Sequence, residues 1–577
     1  MTELATLARD WIADDPDSEA RAELEAVLAA HEAGDPESSA DLADRFRGPL
    51  EFGTAGLRGR LGAGPNRMNR AVVIRAAAGL ARYLTDALAE LGIEGPARVV
   101  IGYDARHGSR QFAVDTAAVM TAAGHDALLL PRTLPTPVLA YATRALDADA
   151  GVMVTASHNP PQDNGYKVYL GGRVVSDDGQ GAQIVPPYDA EIASRIAAVE
   201  TVASVPRAEA GWTALDEDVV NDYIAAAAAV AGPPAQADAA ARAAVRIVLT
   251  PLHGVGGDTV EATLRAAGFT DLHTVPEQAE PDPDFPTVDF PNPEEPGAID
   301  LSLALASEVG ADVVIANDPD ADRAAVATVL DGQWRMLHGD VVGSLLGERV
   351  AQRVEREGTT GSAVLADSVL ANSIVSSQQL ARIADSHGLT HANTLTGFKW
   401  IGREPGLVFG YEEALGYCVA PDLVRDKDGL TAAVMIADLV AELKSEGRTL
   451  ADAIDDLARE HGVYLTRQVS ARFADVAEIP ALMSRLLAEP PASLAGSAVA
   501  STDDMNEGFQ GLPPTNGLHL ATESGARVII RPSGTEPKVK AYLEVIAPVD
   551  GDVGPARASA ERAMADLEAD VKKALGV

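Results

Sequence analysis

Residues Val99 to Leu130, VVIGYDARHGSRQFAVDTAAVMTAAGHDALLL, decide the fold class. Val99-Val100-Ile101-Gly102-Tyr103 is a short apolar run rich in β-branched residues, the signature of a buried strand. Phe112 to Ala123 reads as the following helix, and Ala127 to Leu130 as the next strand. That alternation belongs to a parallel or mixed sheet covered by helices, an α/β fold. The pattern recurs. Val99 to Leu130 runs strand, His107-Gly108, helix, Ala123-Gly124, strand, and Val245 to Val275 runs strand, His253-Gly254, helix, Ala267-Gly268, strand. A third unit starts at Ala363-Val364-Leu365-Ala366-Asp367. The repeats predict several related domains. Ahead of them Leu4, Leu7, Trp11, Leu24, Val27 and Leu28 recur at helical spacing, so residues 1–47 read as a helical extension. The Pro- and acid-dense stretch 275–297 reads as a long surface loop, and 488–517 as loop-rich.

Composition narrows the function. The chain has 577 residues, enough for three or four domains at roughly 150 residues each. Its formal net charge of −39 disfavours nucleic acid and anionic membrane surfaces as partners, because both reward a basic surface. The single cysteine, Cys418, can form neither an internal disulfide nor a thiolate cluster. The N-terminal residues lack a basic, then apolar, secretory pattern, and no apolar run reaches the ~18 residues of a spanning helix. The expectation is a cytoplasmic protein. All but eight of the 46 basic residues are arginine, and Lys167 is the only lysine of the first 398 residues. Where arginine is so plainly the default, each lysine marks a place where a compact donor with a movable pKa is needed.

Five segments carry candidate chemistry. Thr155-Ala156-Ser157-His158-Asn159-Pro160-Pro161 follows the apolar run 151–154 and ends near Asn164-Gly165-Tyr166-Lys167. A serine in a tight turn at a strand end is open to modification, or simply caps a surface turn. Asn317-Asp318-Pro319-Asp320-Ala321-Asp322-Arg323 follows the strand-like 312–316. Its three carboxylates repel one another unless a cation intervenes, and an all-oxygen set selects Mg²⁺ or Ca²⁺. An EF-hand fails, since its sixth position would be Arg323 and its twelfth Val329. Arg531-Pro532-Ser533-Gly534-Thr535-Glu536-Pro537-Lys538-Val539-Lys540 gathers a guanidinium, two hydroxyls, a glycine and two lysines, which suits a phosphate. Gly410-Tyr411-Glu412-Glu413-Ala414 offers carboxylates for sugar hydroxyls, and Phe52-Gly53-Thr54-Ala55-Gly56-Leu57-Arg58-Gly59 a glycine loop whose backbone could approach a ligand. No Walker A motif and no G-x-G-x-x-G is present.

Serine, acidic triad, phosphate cradle and sugar reader together describe phosphoryl transfer to a sugar phosphate. In order and in residues the chain resembles the α-D-phosphohexomutase superfamily (phosphoglucomutase/phosphomannomutase) from about Phe52 to near the C-terminus. The variants Gly53-Thr54-Ala55-Gly56-Leu57-Arg58, Thr396-Gly397-Phe398-Lys399-Trp400 and Gly410-Tyr411-Glu412-Glu413-Ala414 resemble its phosphoglucomutase-2/phosphopentomutase-like branch. The resemblance implies four domains around a central cleft: three related α/β domains with mixed sheets, then a smaller α+β domain. The segments expected are 1–47, 48–205, 206–332, 333–462 and 463–577.

It also implies the reaction: exchange of phosphate between the 1- and 6-positions of glucose or mannose through phosphoserine and a sugar 1,6-bisphosphate. The alternatives are a phosphopentomutase acting on ribose or deoxyribose phosphates, a bisphosphate synthase, and a binder without turnover. Ser157 would carry the phosphoryl group. One Mg²⁺ per chain would sit on Asp318, Asp320, Asp322 and the Ser157 phosphate. Lys167 and Arg58 would guide proton transfer, Lys167 with its pKa depressed toward neutrality, and His158 would orient the serine loop. Arg323, Lys399, Glu412, Arg531, Ser533, Gly534 and Thr535 would bind substrate. Ala414 stands where many hexomutases have serine, so one sugar contact is absent or supplied elsewhere. The partner expected is a small phosphosugar, and the state a monomer or homodimer.

Overall fold

The run at 99–103 becomes the strand Arg98–Tyr103, and its neighbours set the position of everything catalytic. In the computed structural model, which describes residues 2–53, 56–232, 236–358, 367–473, 477–532 and 538–577, this strand pairs in parallel with Asp126–Leu129 and with Ala150–Val154. Asp163–Leu170 then returns antiparallel to Ala150–Val154, and Leu57–Arg60 adds antiparallel to its outer edge. Ala150–Val154 is buried at every position, as expected of a strand covered on both faces. Because a parallel strand is followed at once by an antiparallel return, residues 155–162 make a tight turn at the carboxyl end of the sheet, where ligand sites of α/β sheets lie.

The second repeat builds the same feature. Arg246–Thr250 pairs in parallel with Asp271–Thr274 and with Val313–Asn317, and Ala324–Leu330 returns antiparallel beside Val313–Asn317. Residues 318–323 are therefore the counterpart of the serine turn. Two short strands lie just past expected boundaries. Gln333–Met336 pairs with Ala324–Leu330, so a boundary at 332 would cut a hairpin. Thr213–Ala214 pairs with Asp126–Leu129, so the first sheet runs past 205.

These two sheets belong to one compact unit, residues up to Met336 together with Gly416–Glu442. The N-terminal segment is part of it. Helices Ser18–Glu32 and Pro36–Arg45 are capped by Asp17 and Asp35, and with Thr2–Asp14 they enclose a small core of Ala8, Leu24 and Leu42. Leu7, expected in the apolar stripe, is exposed instead. The Asp14 carboxylate accepts the N–H groups of Val202 and Ala203, which fixes the extension to the first α/β domain.

The stretch 275–297 is less superficial than its composition implies. Gln278 and Phe285 are buried, and the Gln278 side chain accepts from Thr250 Oγ1 at 2.6 Å and donates to Thr287 at 3.0 Å.

The second unit comprises Leu337–Leu415 and Leu443–Val577. The opening expected for the third repeat, 363–367, falls mostly outside the described residues. Its described strand is Val369–Ser373, parallel to Thr390–Thr394 and Leu407–Glu412, with helix Gln379–Ser386 as the crossover. Before the final helix, Val553–Leu575, comes an antiparallel sheet in which Val463–Arg472, Lys538–Ala547, Arg527–Pro532, Leu518–Thr522 and Ser497–Asp504 lie side by side in that order. That last strand lies within the stretch read as loop-rich; its residues are mostly small and polar and none is buried. Glu544 joins the two domains of this unit. It is buried and accepts from Ser377 Oγ, the Gln378 backbone and side chain, and Arg527.

Candidate active site

Ser157 sits in the turn after Ala150–Val154 with φ 52°, a left-handed conformation uncommon for a side chain larger than glycine. Its backbone N–H donates to Thr155 Oγ1 at 2.9 Å, and its hydroxyl donates to Asp318 Oδ2 at 2.8 Å. The two turns that the topology made equivalent thus meet at the predicted nucleophile and the first acid of the triad.

Asp318, Asp320 and Asp322 are at most 1% exposed, and one oxygen of each lies within 4.8 Å of the others. The close packing of this loop depends on Gly254, the glycine of the repeated His-Gly pair. A Cβ there would run into the backbone of Pro319.

Electrostatics separate the three acids. Burial, then the charges of Asp320 and Asp322, push the Asp318 carboxyl well above its ordinary range. Burial is the largest effect and opposes the ionised form of Asp320 and Asp322 too, but Lys167 together with Thr136 at Asp320, and Lys167 together with Lys427 and Arg323 at Asp322, hold both below their ordinary values. Lys167 Nζ donates to Asp320 Oδ2 at 2.7 Å and Asp322 Oδ2 at 2.8 Å. Thr136 Oγ1 donates to Asp320 Oδ2 at 2.6 Å, and Lys427 Nζ lies 3.3 Å from Asp322 Oδ2. Two oxygens, Asp320 Oδ1 and Asp322 Oδ1, are buried and accept no hydrogen bond. A buried carboxylate oxygen without a donor costs several kcal/mol unless a cation meets it. With an oxygen-only donor set, these residues fit a hard divalent ion such as Mg²⁺.

The expectation for Lys167 is reversed in one respect. Burial alone would depress its ammonium, but Asp320 and Asp322 win and raise it. Against these carboxylates it is a firmly protonated cation. His158 Nδ1 lies 3.1 Å from Ser157 Oγ. Burial, then the charges of Arg323 and Arg58, hold the imidazole well below its ordinary pKa, so it is neutral at pH 7. Arg58 is exposed, and its Nη1 donates to Asn159 Oδ1 of the serine turn at 3.1 Å. Gly56, two residues before it, has φ 78°, and a Cβ there would run into the Tyr166 carbonyl. The Arg323 backbone N–H donates to Asp318 Oδ1 at 3.0 Å, and its Nε lies 3.8 Å from Asp322 Oδ1.

In the second unit, Glu412 ends the Leu407–Glu412 strand and accepts the Gly397 N–H at 2.7 Å. The neighbouring Thr396 hydroxyl accepts from Arg531 Nη1. Lys399 lies on the short helix Phe398–Ile401. Burial, then Glu412 and Asp340, push the Glu413 carboxyl up to about 7, and it accepts from Ser376 Oγ at 3.0 Å and Ser373 Oγ at 3.2 Å. Ser533, Gly534 and Thr535 lie outside the described residues.

Four side chains escaped the sequence reading as parts of this site. Thr136 and Tyr169 are separated from their partners, Asp320 and Asp426, by 184 and 257 residues. Lys427 bridges Asp322 and Asp426. Arg106 donates to four backbone carbonyls of the serine turn.

Residues 49–203, 221–330 and 338–461 match in turn the alpha/beta/alpha domains I, II and III of phosphoglucomutase/phosphomannomutase, and residues 470–547 match its C-terminal domain. The chain is 47% identical over 482 residues to a probable phosphomannomutase of Haemophilus influenzae, covering 83% of this chain and 93% of that protein. The chain belongs to the phosphoglucomutase/phosphomannomutase family. It is thus an intramolecular phosphotransferase by family, with the four-domain α/β architecture expected. A probable phosphoribomutase of Schizosaccharomyces pombe is 34% identical, with 94% of this chain and 93% of that one covered. The crystal structure of a putative phosphomannomutase from Thermus thermophilus shares the fold, with a TM-score of 0.64 at 24% identity over 90% of this chain and 99% of that one. Among the described residues no helix is long and apolar enough to cross a membrane.

Proposed function

We propose that the protein interconverts hexose 1-phosphates and hexose 6-phosphates of the gluco or manno series, using Ser157 as phosphoryl carrier. The carrying observation is the Ser157 hydroxyl, 2.8 Å from Asp318 within a buried triad that keeps two carboxylate oxygens without donors. A binding protein has no need of a hydroxyl buried against three acids. The 47% identity to a probable phosphomannomutase supports the hexose reading over the pentose one.

In the forward half-reaction the Oγ–P bond of phosphoserine breaks as a substrate hydroxyl oxygen bonds to phosphorus and gives up its proton. The resulting bisphosphate then returns its other phosphoryl group to Ser157 Oγ, so the sugar leaves as the isomeric monophosphate. Asp318, Asp320 and Asp322 would hold the divalent ion together with an oxygen of the Ser157 phosphate. That ion, Mg²⁺, would neutralise charge developing on the transferring group. Lys167 holds a proton where the triad ends and would stabilise the same charge. The proton of the attacking hydroxyl ends on Ser157 Oγ, which regains its hydrogen as the Oγ–P bond breaks; Lys167 and Arg58, both cationic, would guide that transfer without taking the proton themselves. His158, neutral and 3.1 Å from Oγ, orients the nucleophile. Arg531, with Ser533, Gly534, Thr535 and Lys399, would hold the phosphate that is not transferred. Glu412 would accept from sugar hydroxyls, and Arg323 would face the substrate.

The test is ³¹P NMR of glucose 1-phosphate, mannose 1-phosphate, ribose 1-phosphate and deoxyribose 1-phosphate with Mg²⁺ and a trace of glucose 1,6-bisphosphate. Conversion of a hexose phosphate is expected. Conversion of the pentose phosphates alone would replace the hexose reading by the pentose one, and no conversion of any would leave a binder.

A further inference from the structure

A single buried side chain holds the serine turn in shape. Arg106 lies between the strand Arg98–Tyr103 and the helix Ser109–Ala122, and is 4% exposed. Its Nη2 donates to Ser157 O at 2.5 Å and Asn159 O at 2.6 Å. Its Nη1 donates to Pro160 O at 2.8 Å and Asp163 O at 3.2 Å. Four carbonyls spanning residues 157–163 thus point at one planar cation. The guanidinium is itself fixed on two sides. Asp104 Oδ2 lies 3.4 Å from its Nε, and Asp104 Oδ1 accepts from the Arg106 N–H and Ser109 Oγ. On its face, Cζ lies 5.0 Å from the ring centroid of Phe285, a buried residue of the second α/β domain. The same second-domain turn receives His107 Nε2 on Asp284 Oδ1 at 2.8 Å.

This arrangement exceeds what a turn needs in order to exist. Ser157 stands in a left-handed conformation, which a side chain larger than glycine keeps only where the surroundings over-determine it. A fork of five donors suits that task, and a point charge on a flexible stem does not. We propose that Arg106 is a positioning residue for phosphoryl transfer, acting through the backbone of Ser157, and that Phe285 completes the clamp from the second domain. The proposal rests on Ser157 as the phosphoryl carrier. It makes the geometry of the nucleophile depend on the packing of two domains against one guanidinium. Displacement of a reacting oxygen by about 1 Å costs on the order of 100-fold in rate.

The molecule supplies its own control. Arg242 is equally buried, donates to the carbonyls of Ala231, Gly232 and Ala267, pairs with Asp438 and lies over Phe269, but touches no residue of the serine turn. The experiment compares Arg106→Met, Arg106→Lys, Phe285→Leu, Arg242→Met and Ser157→Ala with the wild type. It measures kcat and KM on glucose 1-phosphate or mannose 1-phosphate, the rate of Ser157 phosphorylation by glucose 1,6-bisphosphate, and the folded fraction by circular dichroism. Arg106→Met should lose about 100-fold in kcat per folded molecule at nearly unchanged KM, with the phosphorylation rate falling in parallel. Arg106→Lys should recover part of that loss and Phe285→Leu should lie between, while Arg242→Met lowers stability and leaves kcat per folded molecule alone. Equal kcat per folded molecule in Arg106→Met and Arg242→Met, with Ser157→Ala inactive, would overturn the positioning role and leave the carrier standing. Full turnover in Ser157→Ala would overturn the carrier and this proposal with it. Should Arg106→Met not fold, Phe285→Leu and Arg106→Lys decide by the same split between kcat and KM.

Discussion

Replacing Lys167 by methionine tests how the triad is neutralised. The ammonium lies 2.7 Å from Asp320 and 2.8 Å from Asp322, all three groups being nearly inaccessible to water. Methionine keeps most of the volume and removes the charge. Stripping one partner from a buried ion pair costs about 3–5 kcal/mol, because the other charge stays behind unpaired. At roughly 2 °C per kcal/mol for a unit of this size, Lys167→Met should lower the first melting transition by about 6–10 °C in EDTA. A divalent ion that binds only the folded triad adds about 2.7 kcal/mol at a hundredfold excess over its Kd. Mg²⁺ should therefore restore more than half of the loss and shift the variant more than the wild type. Turnover should stay at least about 100-fold down even with Mg²⁺, since the proton-bearing group is gone. The assay is scanning fluorimetry across an Mg²⁺ titration, beside kcat. A variant that melts like the wild type in EDTA, or one that Mg²⁺ does not rescue, would refute the electrostatic account of the triad.

Other parts of the structure make their own predictions. Gly254→Ala drives a methyl group into Pro319 and should weaken Mg²⁺ binding at least tenfold by calorimetry while the far-UV spectrum is kept. Glu544→Ala removes a buried acceptor of four donors and the carboxylate that faces Arg527, whose guanidinium keeps, among the described residues, only the carbonyls of Ile374 and Ser376, so it should destabilise the second unit by about 3–5 kcal/mol in urea unfolding. Glu413 has a folded pKa of about 7, raised above its ordinary 4.5. The folded state then binds the extra proton, so this group loses stability as pH rises from about 4.5 through 7. Glu413→Gln should flatten that slope and gain about 3 kcal/mol above pH 7, at about 1.4 kcal/mol per pH unit. Chemical denaturation at pH 5 and pH 8 checks it.

What the sequence yields here follows the range of the interactions. Val99–Tyr103 is legible because a buried strand is a local property, five apolar positions in a row. The triad is legible because its acids stand at alternate positions of one loop and have no local reason to be there. Lys167 stands out against a chain that otherwise uses arginine, although its partners, more than 150 residues away, reverse the direction of its pKa. Arg106 is illegible in sequence, since its acceptors are backbone carbonyls that any residue supplies and only the folded turn collects. Phe285 hides inside a stretch whose prolines and acids read as surface, though its ring is needed under a guanidinium. Leu7 errs the other way, apolar at helical spacing yet outside the small core that Leu24 and Leu42 fill.

The most direct test of Ser157 as carrier is the mass of the protein after brief exposure to glucose 1,6-bisphosphate, followed by peptide mapping. The account predicts a species about 80 Da heavier, the mass of one phosphoryl group. The label should sit on Ser157, chase into product on addition of hexose 6-phosphate, and be absent from Ser157→Ala. A label on another residue, or wild-type turnover by Ser157→Ala, would contradict it.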